Sequence, residues 1–154
     1  MPVTNTRKHW IIAIASILVF FTCLYATRTP DVTAAGGGIQ FFKGSWQEAL
    51  NKSKQENKPI FLDIYATWCG PCKLLKRTTF ADKRVAKLYN EKFINVSLDG
   101  EIGDGLTLAE KFRIPGYPTL MILNGEGKPL VSNVGFLEAK DFIRFGEDGL
   151  TKFK

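Results

Sequence analysis

Cys69 and Cys72 are two of only three cysteines in 154 residues, and they stand two residues apart at the end of IFLDIYATWCGPCK, residues 60–73. A C-x-x-C pair points to thiol–disulfide exchange or to half of a metal site. A structural zinc needs further ligands, but Cys23 lies in an apolar N-terminal segment and the single histidine, His9, precedes it. The rest of the chain therefore offers two soft ligands and no imidazole, which argues against a metal site and against cysteine–histidine hydrolysis. Redox exchange without metal or cofactor is the chemistry these residues support.

A cysteine at the start of a helix meets unpaired backbone N–H groups and the positive end of the helix dipole, both of which favour thiolate. Cys69 is placed there as the nucleophile facing solvent, with Cys72 one turn later on the inner side as the resolving thiol. Gly70 permits a tight turn, and Pro71 suits a first helical turn, where its missing N–H has no partner to lose. Cys69 would attack a substrate disulfide, and Cys72 would then attack Cys69 to release reduced substrate. The proton lost by Cys72 needs an acceptor. Asp63 is the candidate, because it sits six residues before Cys69 in an apolar run, and burial raises a carboxyl pKa toward neutrality.

These residues require a strand that delivers Asp63 and a helix that begins at Cys69. PIFLDIYA is too short for a helix and apolar apart from Asp63, as a buried central strand is. CKLLKRTTF then suits a helix, with Leu74 and Leu75 apolar. Upstream, Ser45 with Glu48 three residues later forms a capping-box pattern opening a helix with Trp46, Ala49, Leu50 and Ser53 on one face. Downstream, Asp82 starts a helix with Val85, Leu88 and Tyr89 inward, KFINVSLD reads as a strand and LTLAEKF as a short helix. RIPGYPTLMIL and PLVSNV read as strands joined by an NGEGK turn, and a last helix runs from about Leu137 to Phe145. The order predicts an α/β fold, a mixed central sheet with helices on both faces, with reactive groups at the C-terminal ends of strands.

The chain has the length of one domain, and 45% hydrophobic residues suffice for a core without disulfide staples. Net charge is +6, from 21 Lys and Arg against 15 Asp and Glu. Without Arg7, Lys8, Arg28 and Asp31 the balance is 18 against 14, dispersed along the chain. That is a solvated surface, so no nucleic-acid partner is expected. WIIAIASILVFFTCLYA, residues 10–26, carries no charge and follows Arg7, Lys8 and His9. It reads as a signal peptide or, preferably, an uncleaved membrane anchor, and either reading places the following domain outside the cytoplasm. Residues 27–38, TRTPDVTAAGGG, read as a flexible linker, and 39–154 as the folded domain.

The joint occurrence of Asp63, Trp68-Cys69-Gly70-Pro71-Cys72 and Tyr117-Pro118-Thr119 resembles the thioredoxin family over roughly residues 39–150. The resemblance implies the thioredoxin fold and disulfide oxidoreductase activity. It also implies a cis Tyr117–Pro118 peptide beside the cysteines, and a substrate-binding surface made by Trp68, Gly70, Pro71, Tyr117, Pro118 and Thr119. The helix after the motif lacks the proline of typical cytosolic thioredoxins, and TTFADKRVAKLYNEKFINVSLD is similar to the C-terminal domain of the transmembrane disulfide reductase DsbD and related exported proteins. Tyr65 and Thr67 also replace residues common before the motif. The expectations are therefore a monomeric protein-disulfide reductase at the inner membrane facing the periplasm, or exported if cleaved. Protein disulfides are its substrates and a membrane electron donor its reductant. An oxidase or isomerase using the same cysteines, and a non-catalytic binding module of the same fold, are the alternatives.

Overall fold

The computed structural model describes residues 37–153. The apolar run 10–26 and linker residues 27–36 lie outside the described residues. Among those described, no helix is long and apolar enough to cross a membrane.

Helix α1 (Trp46–Glu56) starts at the expected capping box: the Ser45 N–H donates to Glu48 Oε2 at 2.8 Å, and the Glu48 N–H donates to Ser45 Oγ at 3.3 Å. It leads into β1 (Ile60–Tyr65), followed by α2 (Gly70–Arg77), α3 (Lys83–Lys92), β2 (Ile94–Asp99), α4 (Gly103–Phe112), β3 (Thr119–Leu123), β4 (Pro129–Val134) and α5 (Ala139–Lys152). The strands form one sheet in the order β2-β1-β3-β4. β1 runs parallel to β2, with Asp63 beside Ser97, and antiparallel to β3, with Asp63 opposite Leu120. β3 and β4 are antiparallel, with a register irregularity at Ile122/Leu123.

β1 is buried on both faces because helices cover both. Its side chains alternate between two cores. Ile60, Leu62 and Ile64 pack with Ala49 of α1 and with Leu108 and Ala109 of α4. Phe61 points the other way and packs with Leu75 of α2, Val85 and Tyr89 of α3, and Phe142 of α5. Tyr89 stacks on Phe142 with centroids 4.3 Å apart and meets Phe61 edge-on at 5.0 Å. Its hydroxyl donates to the Phe142 carbonyl at 2.8 Å, so its polar tip is satisfied inside the core.

Three helices differ from the sequence reading in their bounds. α5 continues to Lys152 rather than stopping near Phe145, passing through Gly146 and Gly149, which are buried in close contact with Tyr89 and Ile122. The missing side chains of these glycines let the helix approach its neighbours. α4 begins three residues before LTLAEKF, at Gly103, again across glycines. α2 ends at Arg77, where the Thr78 hydroxyl donates to the Leu74 carbonyl at 2.8 Å, and Leu74 itself is exposed rather than packed.

Candidate active site

Tyr65 ends β1, and the chain turns through Ala66, Thr67 and Trp68 into Cys69, the N-cap of α2. Cys69 has extended backbone geometry, and its sulfur accepts the Cys72 backbone N–H at 3.1 Å. An N-cap atom satisfies donors that the first helical turn leaves unpaired, so the same contact that starts the helix would stabilise negative charge on this sulfur. Pro71 lies in the first turn, where no N–H partner is lost. The two cysteines form a disulfide with Cα atoms 5.3 Å apart.

Two expectations about this turn need correction. Cys69 does not face solvent in the disulfide form: it is 3% exposed and Cys72 2%, both packed with Ala66, Tyr65 and Tyr117. Gly70 has no positive φ, and a Cβ placed on it would touch nothing, so the turn itself does not require glycine. Gly70 and Pro71 are both exposed beside the buried sulfurs.

Trp68 is 66% exposed and stands edge-on to Tyr117, with centroids 5.9 Å apart. Its indole N–H donates to Glu101 Oε1 at 2.9 Å. The Tyr117–Pro118 peptide is cis. Pro118 is buried and its carbonyl accepts the Gly135 N–H at 2.8 Å. Thr119 is also buried, and its hydroxyl donates to the Gly116 carbonyl at 2.7 Å, so its side chain holds the turn that presents Tyr117. Gly100 sits under this turn: a Cβ there would come within 2.5 Å of Tyr117 Cε1 and 2.8 Å of Ile64 Cγ2. Nothing in sequence connected Gly100 or Glu101 to the cysteines, since the contacts run between the end of β2 and two distant loops.

Asp63 is 1% exposed and shares a β1 face with Phe61 and Tyr65, the face that α2 covers. Cys72, Leu75 and Lys76 lie at i, i+3 and i+4 on that helix, forming one stripe. Ser97 of β2 donates its hydroxyl to Asp63 Oδ2 at 2.7 Å, and Oδ1 has no hydrogen-bond partner among the described residues. Burial pushes the Asp63 pKa up to about 6, opposed by the Ser97 hydrogen bond and by the positive charge of Lys76. The Lys76 ammonium lies 3.2 Å from the Tyr65 ring centroid, a cation–π contact. Neither Ser97 nor Lys76 was among the residues expected from sequence. The strand register that pairs Ser97 with Asp63 is the feature that finds it. No cluster of three or more His, Cys, Asp or Glu side chains that could hold a metal occurs among the described residues.

Residues 42–125 match the family model described as thioredoxin-like. The thiol:disulfide interchange protein DsbD of Escherichia coli is 31% identical over 151 residues, covering 90% of this chain but 26% of that protein. Across the DsbD relatives it matches, the chain spans between 16% and 26% of their length. The solution structure of a candidate disulphide-isomerase from Bacteroides thetaiotaomicron superposes with a TM-score of 0.67 at 37% identity, covering 76% of this chain and 97% of that one. The oxidised DsbD C-terminal domain of Neisseria meningitidis shares the fold, with a TM-score of 0.59 at 23% identity over 71% of this chain and 99% of that one. The expected α/β sandwich, the sequence match over more than half the chain and the isomerase-type relative agree: the chain belongs to the thioredoxin-like family.

Proposed function

We propose that this protein is a thiol–disulfide oxidoreductase that reduces protein disulfides outside the cytoplasmic membrane. The observation that carries the reading is the Cys69 sulfur at a helix N-cap, 3.1 Å from the Cys72 backbone N–H and joined to Cys72 by a disulfide. In the reduced protein that N–H would stabilise a Cys69 thiolate, the attacking species in exchange. Cys69 attacks a substrate disulfide, and one substrate sulfur leaves as thiolate. Cys72 then attacks Cys69, its proton passes to the Asp63 carboxylate, and the second substrate sulfur leaves.

Trp68, Gly70, Pro71 and Tyr117 form the surface that receives substrate. Among the described residues, no backbone hydrogen bond engages the N–H or carbonyl of Tyr117, leaving both for an incoming extended strand. Pro118 and Thr119 hold that segment in place. Residues 1–26 are assigned as a membrane anchor or export signal, 27–38 as a linker and 39–154 as the catalytic domain. Electrons would come from a membrane reductant of the disulfide-exchange type, as the likeness to DsbD favours.

Equilibrating the full chain with glutathione tests the direction. A reductase requires a potential below that of the glutathione couple, together with insulin reduction that is lost in Cys69→Ser. A potential well above that couple would assign the protein to oxidation or isomerisation instead.

A further inference from the structure

Asp63 can serve repeated turnovers only if the proton it takes from Cys72 has a way out. The disulfide side offers little passage, because Cys69 and Cys72 are 3% and 2% exposed under Tyr65 and Tyr117. Among the described residues, the one hydrogen bond that reaches the carboxylate comes from Ser97, which is only partly buried. Ser97 in turn borders a cleft of about 540 Å³, lined also by Tyr65, Lys76, Phe80 and the chain at Gly38 and Ile39. That is ample room for ordered water. Trp68 of the proposed substrate face is not among the residues that line the cleft.

The geometry points to a proton port: Ser97 relays protons between Asp63 and water in this cleft, and Lys76, held over Tyr65 at its edge, sets the charge at which the port operates. The proposal rests on the exchange reading above and assigns two positioning residues to it. As Cys72 attacks the mixed disulfide, the Cys69–Cys72 bond forms, the Cys69–substrate bond breaks and the substrate leaves as thiolate, while the Cys72 proton moves to Asp63. Protonated Asp63 then donates to Ser97 Oγ as the Ser97 hydroxyl passes its own proton to cleft water. The hydroxyl is regenerated and the carboxylate restored. A serine can do this because one hydroxyl both donates and accepts. The groups facing Asp63 are Ser97 from β2 and the Cys72–Lys76 stripe from α2, while β3 brings the uncharged Leu120.

The test uses the full chain with Cys23→Ser in every variant, so that only Cys69 and Cys72 react. Single-turnover kinetics with a fluorophore-labelled peptide disulfide separate attack by Cys69 from resolution by Cys72. Resolution in a single turnover only loads the proton onto Asp63, so its exit is read under multiple turnover with dithiothreitol as reductant: if Ser97 relays protons, Ser97→Ala lowers the high-pH plateau of that turnover by about tenfold, a smaller loss than the roughly 10²–10⁴ typical of removing a base itself. Ser97→Thr restores the plateau, since the cleft has space for the added methyl. Lys76→Met moves the resolution profile to higher pH by removing a charge that favours the carboxylate, and Lys76→Arg returns it. A folded Ser97→Ala protein whose multiple-turnover profile merely slides along the pH axis to the same plateau would overturn the relay, leaving Ser97 as a hydrogen-bond donor only. Failure of Cys69 to attack the peptide in the parent protein is a separate result that would overturn the exchange reading and the port with it.

Discussion

A carboxylate that is 1% exposed, with one oxygen lacking a hydrogen-bond partner among the described residues, is costly to keep charged. Asp63 is such a group, and its pKa near 6 against an ordinary 3.8 measures the cost. Between about pH 4 and pH 6 Asp63 binds more protons in the folded protein than in the unfolded chain, so its contribution to stability falls as pH rises through that window and stays lower above it. A shift of this size corresponds to roughly 3 kcal/mol. Asp63→Asn keeps the shape and can still accept from Ser97, but it does not ionise. Denaturant titrations of the oxidised protein should therefore show the wild type losing up to about 3 kcal/mol relative to Asp63→Asn between pH 4 and pH 8. Parallel curves would mean that Asp63 is not held near neutrality. Retention of so unfavourable a residue is expected where proton transfer, not stability, is what the position serves.

At the scale of elements, most of the site follows from two local rules that sequence displays directly. An apolar run broken only by Asp63 made β1, and a cysteine before Gly-Pro made the N-cap of α2. The partners of Asp63 were not legible because they depend on register across β1 and β2 and on which face α2 turns to the sheet. Two helices, α4 and α5, extend across glycines beyond the bounds expected from sequence. Gly146 and Gly149 lie inside α5, where a Cβ on Gly146 would come within 2.9 Å of the Tyr89 hydroxyl and one on Gly149 within 2.9 Å of Ile122 Cγ2. Alanine raises intrinsic helix propensity by about 1 kcal/mol over glycine, but overpacking a filled core typically costs about 1–3 kcal/mol. Gly149→Ala meets a branched side chain fixed on the central strand β3, so the clash should win and lower stability by about 1–2 kcal/mol in urea titration. A stabilised Gly149→Ala would show that α5 can slide away from the sheet.

At the scale of the whole molecule, the sandwich was legible because strand and helix patterns alternate cleanly and the site motifs fall at strand ends. The N-terminal assignment rests on sequence alone, since residues 1–36 lie outside the described structure. If residues 10–26 anchor an otherwise autonomous domain, the full chain expressed in a bacterial host should remain with membranes after alkaline carbonate washing. A chain starting at Gly37, which keeps the cleft-lining Gly38, should be recovered in solution with unchanged single-turnover exchange kinetics. Loss of exchange in the shorter chain would give the N-terminal segment a part in the site. The central claim concerns the two sulfurs themselves, and intact-mass spectrometry of reduced Cys72→Ala mixed with a disulfide-bonded peptide tests it most directly. A persistent peptide adduct on Cys69, transient in the wild type and missing in Cys69→Ser, is the predicted result; no adduct on Cys69, or one equally long-lived in the wild type, would contradict the account.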